Sequence, residues 1–205
     1  MKKYFYLVFI LHLTIGCKKI EKEPSKNTLN LNNSDSTITV NDNKKILSKI
    51  INSFHKAKKI VITEKTTIVD ITQDTEQIEF GNFNYRLPCL DKETFDNFLL
   101  KNQSPVKIKG NFYTQKNIVI LENQQINEVL KNSIYNGWKK FYETYGEEAQ
   151  GLLTLSRIGF NKKKNKALLY YSNQSNNTNG GGYVLVFKKI KNDWEICSST
   201  QVWIA

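Results

Sequence analysis

The residue pattern predicts an α+β fold: amphipathic helices packed on an antiparallel sheet that ends in a C-terminal four-stranded meander. Three observations lead there. Apolar residues recur at helical spacing in three segments before residue 146, β-branched runs of strand length stand between them, and after residue 151 four β-type segments follow one another through short connections. A sheet with one face buried on a helix suggests, from element order, a cystatin-like arrangement in which a curved sheet wraps a helix.

Taken in order, Ile46, Leu47, Ile50, Ile51, Phe54 and Ala57 mark the first helix, with residues 41–43 offering cap oxygens. Ile60-Val61-Ile62-Thr63, then 66–69 and 77–83, read as strands. Residues 91–102 return to helical spacing through Phe95, Phe98 and Leu99; Asp91 is the expected cap, and Pro105 blocks continuation. Residues 106–109 and 117–121 read as strands. The longest helix is expected over 124–145, with Ile126, Val129, Leu130, Trp138, Phe141 and Tyr142 on or near one face, Gly137 weakening it and Gly146 ending it. The meander is expected at 152–160, 166–173, 182–190 and 194–204, turning near Lys163 and Asn192.

With 40% apolar residues, among them 11 Phe, 10 Tyr and 3 Trp, the 205-residue chain can build a core, which excludes global disorder. Its formal charge is +11, yet arginine occurs only at Arg86 and Arg157. Lys, Asn and Ile, all encoded by AT-rich codons, are abundant, so the basicity is expected to follow genome composition. Nucleic-acid surfaces cluster their cations and favour arginine, so nucleic acid is not an expected partner.

The first residues, MKKYFYLVFILHLTIGC, place two lysines before an apolar run from Tyr4 to Ile15. Twelve helical residues span about 18 Å, too short for a hydrocarbon core of about 30 Å, so a removable signal peptide over 1–16 is expected. Leu13-Thr14-Ile15-Gly16-Cys17 resembles a bacterial lipoprotein lipobox, in which a small residue precedes an acylated cysteine. Cys17 would then begin the mature chain and hold it on a membrane through two or three acyl chains. The expected address is the bacterial cell envelope, on its periplasmic or outer-surface face. Residues 17–44, rich in Asn, Ser, Lys and Asp, read as the acylated cysteine and a flexible tether of about 30 Å reach, followed by one α+β domain over 45–205.

The mature domain retains Cys89, Cys197 and His55, too few for a structural zinc site built on Cys and His, and neither metal nor cofactor is expected. Cys89 and Cys197 are candidates for a disulfide closing about 108 residues; Cys197 alternates with Glu195 and Ser199 along a strand, which leaves a free thiol equally open.

No catalytic set assembles in the sequence. Ser-x-x-Lys at Ser53 and Ser104 occurs as often as chance dictates and lacks its companion motifs. Gly180-Gly181-Gly182 precedes a strand instead of a helix, so hairpin geometry explains it better than a phosphate cradle. With residues 172–179 it forms a polar loop, which makes Asn173 and Gln174 candidate ligand contacts. Arg157 is the most informative charge. It shares strand parity with Leu153 and Leu155, which points it at an apolar face and favours a structural ion pair over an anionic ligand, with Ser156 and Asn161 beside it. Trp138, Tyr142 and Trp203 could stack on a glycan, although such spacing is more often core. His55, near the apolar face of the first helix, reads as a packed or surface histidine.

Several motifs recur as a set: Glu93-Thr94-Phe95-Asp96-Asn97-Phe98 with Lys101-Asn102; Trp138 with Phe141-Tyr142; Leu155-Ser156-Arg157-Ile158-Gly159-Phe160-Asn161; residues 167–171; Gly181-Gly182-Tyr183; and Val202-Trp203-Ile204. Through them the chain from about residue 90 to 205 resembles a family of uncharacterised bacterial secreted or lipid-anchored proteins. The resemblance implies a shared fold and envelope location and no reaction. It departs from the family at Gly146, where relatives carry a proline, and in the less Gly-rich 174–180 loop.

Together these readings favour a lipid-anchored, non-catalytic envelope module that binds or scaffolds an envelope protein or glycan. The alternative is an envelope hydrolase without a histidine, using Ser156, Arg157 or Glu143.

Overall fold

The computed structural model describes residues 33–68, 85–130 and 134–205. The leader, Cys17 and the expected strand at 77–83 lie outside the described residues. Four α-helices are described: α1 (Asn33–Ser53), α2 (Lys92–Lys101), α3 (Asn123–Leu130) and α4 (Ile134–Tyr145). The strands are β1 (Lys59–Thr63), β2 (Asn117–Leu121), β3 (Leu152–Leu155), β4 (Gly159–Phe160), β5 (Lys166–Gln174), β6 (Gly180–Ile190) and β7 (Asp193–Ile204). They form one mixed sheet in the order β2-β1-β3-β5-β6-β7, with β4 also paired to β5.

The fold is therefore α+β, and the C-terminal meander is present: β3 and β4 on one edge of β5, then β6, then β7, all antiparallel. β1 and β2 add a parallel extension, joined to the meander through β3. The cystatin-like arrangement is not confirmed, because helices cover both faces. Alternation along the strands sorts the core: Ala167, Leu169, Leu185 and Phe187 meet α1 through Ile46, Ile50 and Ile51, while Leu168, Val184 and Val186 meet α2 through Phe95 and Phe98. The α3–α4 pair covers β1 and β2 through Val129, Trp138 and Phe141 against Val61 and Leu121. Each such fully buried aliphatic side chain contributes about 1.5–3 kcal/mol.

Several sequence expectations are corrected. Helix α1 starts at Asn33, so residues 33–44, assigned to the tether by composition, are helical. Asn41 and Asn43 lie inside the helix instead of capping it, and Phe54 and Ala57 follow its end. The reason is tertiary. Asp42, 3% exposed, accepts from Lys189 Nζ and from the indole N–H of the fully buried Trp194, and Asn41 Oδ1 accepts from the Tyr113 hydroxyl. Residues 66–68 and 106–109 form no strands; they are joined by a bridge between Lys65 and Lys107 and by bonds that include Thr66 N–H to the Val106 carbonyl and Ile108 N–H to the Glu64 carbonyl.

The long helix expected over 124–145 is two helices. Gly137 does more than weaken it: a Cβ there would lie 2.8 Å from the Leu130 backbone, so the α3–α4 contact requires glycine. Gly146, at φ +84°, ends α4 as expected. Asp91 caps α2, accepting from the Thr94 N–H at 2.8 Å and the Thr94 hydroxyl at 2.6 Å. Burial alone would raise the Asp91 pKa, but those Thr94 bonds together with Lys166 hold it below the usual carboxylate value.

Candidate functional site

Residues 152–160 were expected as one strand, and the break between β3 and β4 organises the site. Leu155 pairs with Tyr171 and Gly159 with Leu168, so Ser156, Arg157 and Ile158 oppose only Leu169 and Tyr170. One extra residue in a strand is a β-bulge, and it shifts side-chain parity. Leu153 and Leu155 face the α1 core before it, whereas Ile158 and Phe160 do so after it. Arg157 therefore leaves the apolar face that its parity predicted.

The bulge is clamped by the end of α2. The Asn102 side chain donates to the Arg157 carbonyl at 3.0 Å and accepts from the Arg157 N–H at 2.8 Å. The Arg157 guanidinium donates to the Lys101 carbonyl at 2.8 Å, one of the carbonyls a helix end leaves unpaired. That replaces the expected ion pair. Lys101 Nζ returns a bond to the Ile158 carbonyl, and Asn97 Oδ1 accepts from Phe160 N–H. Gly159 permits the close approach, since a Cβ there would sit 2.5 Å from the Phe98 backbone. Asn102→Ala removes the acceptor of the Arg157 N–H and one of the two donors to its carbonyl, and is expected to cost about 1–3 kcal/mol, measured by urea unfolding; a change within error would show that the clamp contributes nothing.

Other candidates bond to neighbouring groups of the protein. The Ser156 hydroxyl accepts from Tyr170 N–H and donates to the Arg157 carbonyl, at 2% exposure. Asn161 organises the β4–β5 turn, accepting from the N–H groups of Asn165 and Lys166. Asn173 donates to the Gln150 carbonyl and Gln174 pairs within β5. The expected ten-residue loop is a tighter turn, closed by Ser175 N–H on the Asn179 carbonyl. Gly182 lies in β6, where a Cβ would strike the Trp203 indole, so packing explains it better than hairpin geometry. Trp138, 8% exposed, packs with Phe141 and Tyr142 in the α4 core, while Trp203 donates to the Tyr170 hydroxyl on the meander. They form no common platform. His55 is exposed, and Glu143 pairs with Lys139 on α4 and does not line the cavity that holds Ser156 and Arg157.

That cavity, about 400 Å³, lies between α1, residues 106–112 and the bulge. Leu47, Ile108, Phe112 and Ile158 supply its apolar floor, and Lys44, Lys101, Lys107, Lys109 and Arg157 its cations. Among the described residues, no Asp or Glu lines it. Residue 108 is held in place by Ile108 N–H on the Glu64 carbonyl, and Lys107 pairs with Glu64. Burial first, then the charge of Arg157, lowers the Lys101 pKa, as expected where cations converge on a partly dry wall. A larger depression of about 760 Å³ adjoins Asn52, Tyr113 and Lys116. Several of its polar groups are engaged: Lys116 Nζ donates to the Phe54 and Ala57 carbonyls, and Asn52 bonds Tyr113 and Thr114. The smaller groove, which joins an apolar lining to five cations, is the candidate ligand site.

Of the residues singled out in the sequence, Ser156 and Arg157 line this cavity, and the lysines that line it with them were not singled out. Five cations converge from separate segments of a lysine-rich chain, and nothing in local spacing distinguishes them. Among the described residues, no group of three or more His, Cys, Asp or Glu could hold a metal ion, and no helix is long and apolar enough to cross a membrane.

Comparison with known proteins yields no matching family model, curated protein or solved structure.

Proposed function

We propose that this chain is a lipid-anchored protein of the bacterial cell envelope that binds another envelope component in the groove beside the β3–β4 bulge and performs no reaction there. The observation that carries the binding function is the groove itself: an apolar floor ringed by cations, with the Ser156 hydroxyl and Arg157 guanidinium already bonded to the protein's own backbone. A nucleophile needs a neighbouring base and a free oxygen, whereas the Ser156 oxygen accepts one backbone bond and donates another. The anchor is supported by Leu13-Thr14-Ile15-Gly16-Cys17 after the apolar leader.

Cys17→Ser is expected to move the chain from the membrane to the soluble fraction of its host, as followed by fractionation and blotting. Unchanged partition would contradict acylation at that sulfur. Capture from native membranes with the intact chain, compared with a chain carrying Lys44→Glu and Lys109→Glu, tests binding at the groove. Identical recovered material from both would remove the groove as the binding surface.

A further inference from the structure

Three features of the groove constrain what fits it. Its floor is apolar, and at its rim Val40 and Val106 remain 67% and 40% exposed. Lys44, Lys101, Lys107, Lys109 and Arg157 line it with no carboxylate among the described lining residues, although Lys107 is paired with Glu64 behind it, and cations along low-dielectric walls focus a positive potential. Its volume of about 400 Å³ suits a small molecule; a stable protein interface instead needs more than about 1,000 Å² of buried surface.

We infer that the groove binds a single-chain amphiphile with an anionic head, either carboxylate or phosphate. This deepens the binding function proposed above and rests on it. The acyl chain lies along Leu47, Ile108, Phe112 and Ile158, and the head sits among the lysines. A neutral amphiphile would leave the cations without a counter-charge. A bare anion would leave the floor and the rim valines in water. An anionic amphiphile satisfies both, and the clamp between Arg157 and the Lys101 carbonyl holds the guanidinium in place, which limits the ordering cost of binding.

The test is calorimetric titration of the full chain carrying Cys17→Ser, so that no acyl group of its own competes. The probes are dodecyl phosphate, dodecanoate, dodecyl maltoside and dodecyltrimethylammonium, each below its micelle concentration. At least one anionic probe is expected to bind tenfold or more tightly than the maltoside, to weaken with added salt, and to lose about fourfold in affinity per CH₂ removed. The cationic probe is expected not to bind. Preference for phosphate assigns a phospholipid-type head, and preference for carboxylate a fatty acid. Lys44→Glu with Lys109→Glu is expected to reduce anionic affinity at least tenfold; Val106→Asp, at the exposed rim, provides a second variant should the first fail to fold. Equal affinity for neutral and anionic probes, full affinity in both variants, or no binding at all would overturn the ligand class. None of these outcomes alters the Cys17 partition or the membrane capture, so the two failures are distinguishable.

Discussion

Asp42→Ala is expected to lower the stability of the domain by about 3–5 kcal/mol, the cost of leaving one member of a buried charge pair without its partner. Asp42 is 3% exposed and takes bonds from Lys189 Nζ at 2.9 and 3.0 Å and from Trp194 Nε1 at 2.9 Å. Removing the carboxylate strands an ammonium that is only 22% exposed and an indole N–H deep in the core. Asp42→Asn keeps an acceptor for Trp194 and loses the charge, so its cost should be smaller. Urea unfolding of the two variants measures both. Wild-type stability in Asp42→Ala would mean that the first turns of α1 are not docked on β7, and that the composition-based tether extends to residue 44 after all.

Joining Cys89 to Cys197 is expected to stabilise the chain by up to about 5 kcal/mol, the chain-entropy value for a loop of about 108 residues. Both are free thiols in the structure, half-buried against the same α2-side cluster. Burial, then a hydrogen bond to Cys89, pushes the Cys197 thiol up to about 12, so it stays protonated at neutral pH and is a poor attacking group without an oxidant. An oxidising compartment would supply one. Unfolding midpoints of the air-shielded and the oxidised chain, with Cys197→Ser as the reference, read the effect. Two titratable thiols in material isolated from the host under thiol blocking would show that the bond does not form there.

The placement of Cys197 shows where strand alternation stops being informative. Val186 pairs with Ser198 and Phe187 with Ile196, so Cys197 is the extra residue of a second bulge, which accounts for its packing beside Cys89. Arg157 was assigned a face by parity, and the bulge changed the outcome; Cys197, left open as a disulfide partner or a partly exposed thiol, is a free half-buried thiol. Gly137 and Gly182 teach the same lesson for packing: each reads as a local irregularity, yet each leaves space for a specific neighbour, the Leu130 backbone and the Trp203 ring.

Local chemistry was enough for much of the fold. Asp91 and Asn102 bracket α2, Gly146 stops α4, and the alternating runs after residue 151 produce the meander, because each of these depends on hydrogen bonds and burial patterns within a few residues. Other features depend on residues far apart in the chain. Asp42, in α1, is bonded to Lys189 and Trp194, about 150 positions away. The parallel pairing of β1 with β2 and β3 joins segments whose patterns are alike on either side. The cationic groove exists only because a helix, an irregular segment and a bulge meet. A lysine's sequence neighbours say little about which other lysines it will face, and that relation, which gives the groove its charge, came from the tertiary structure alone.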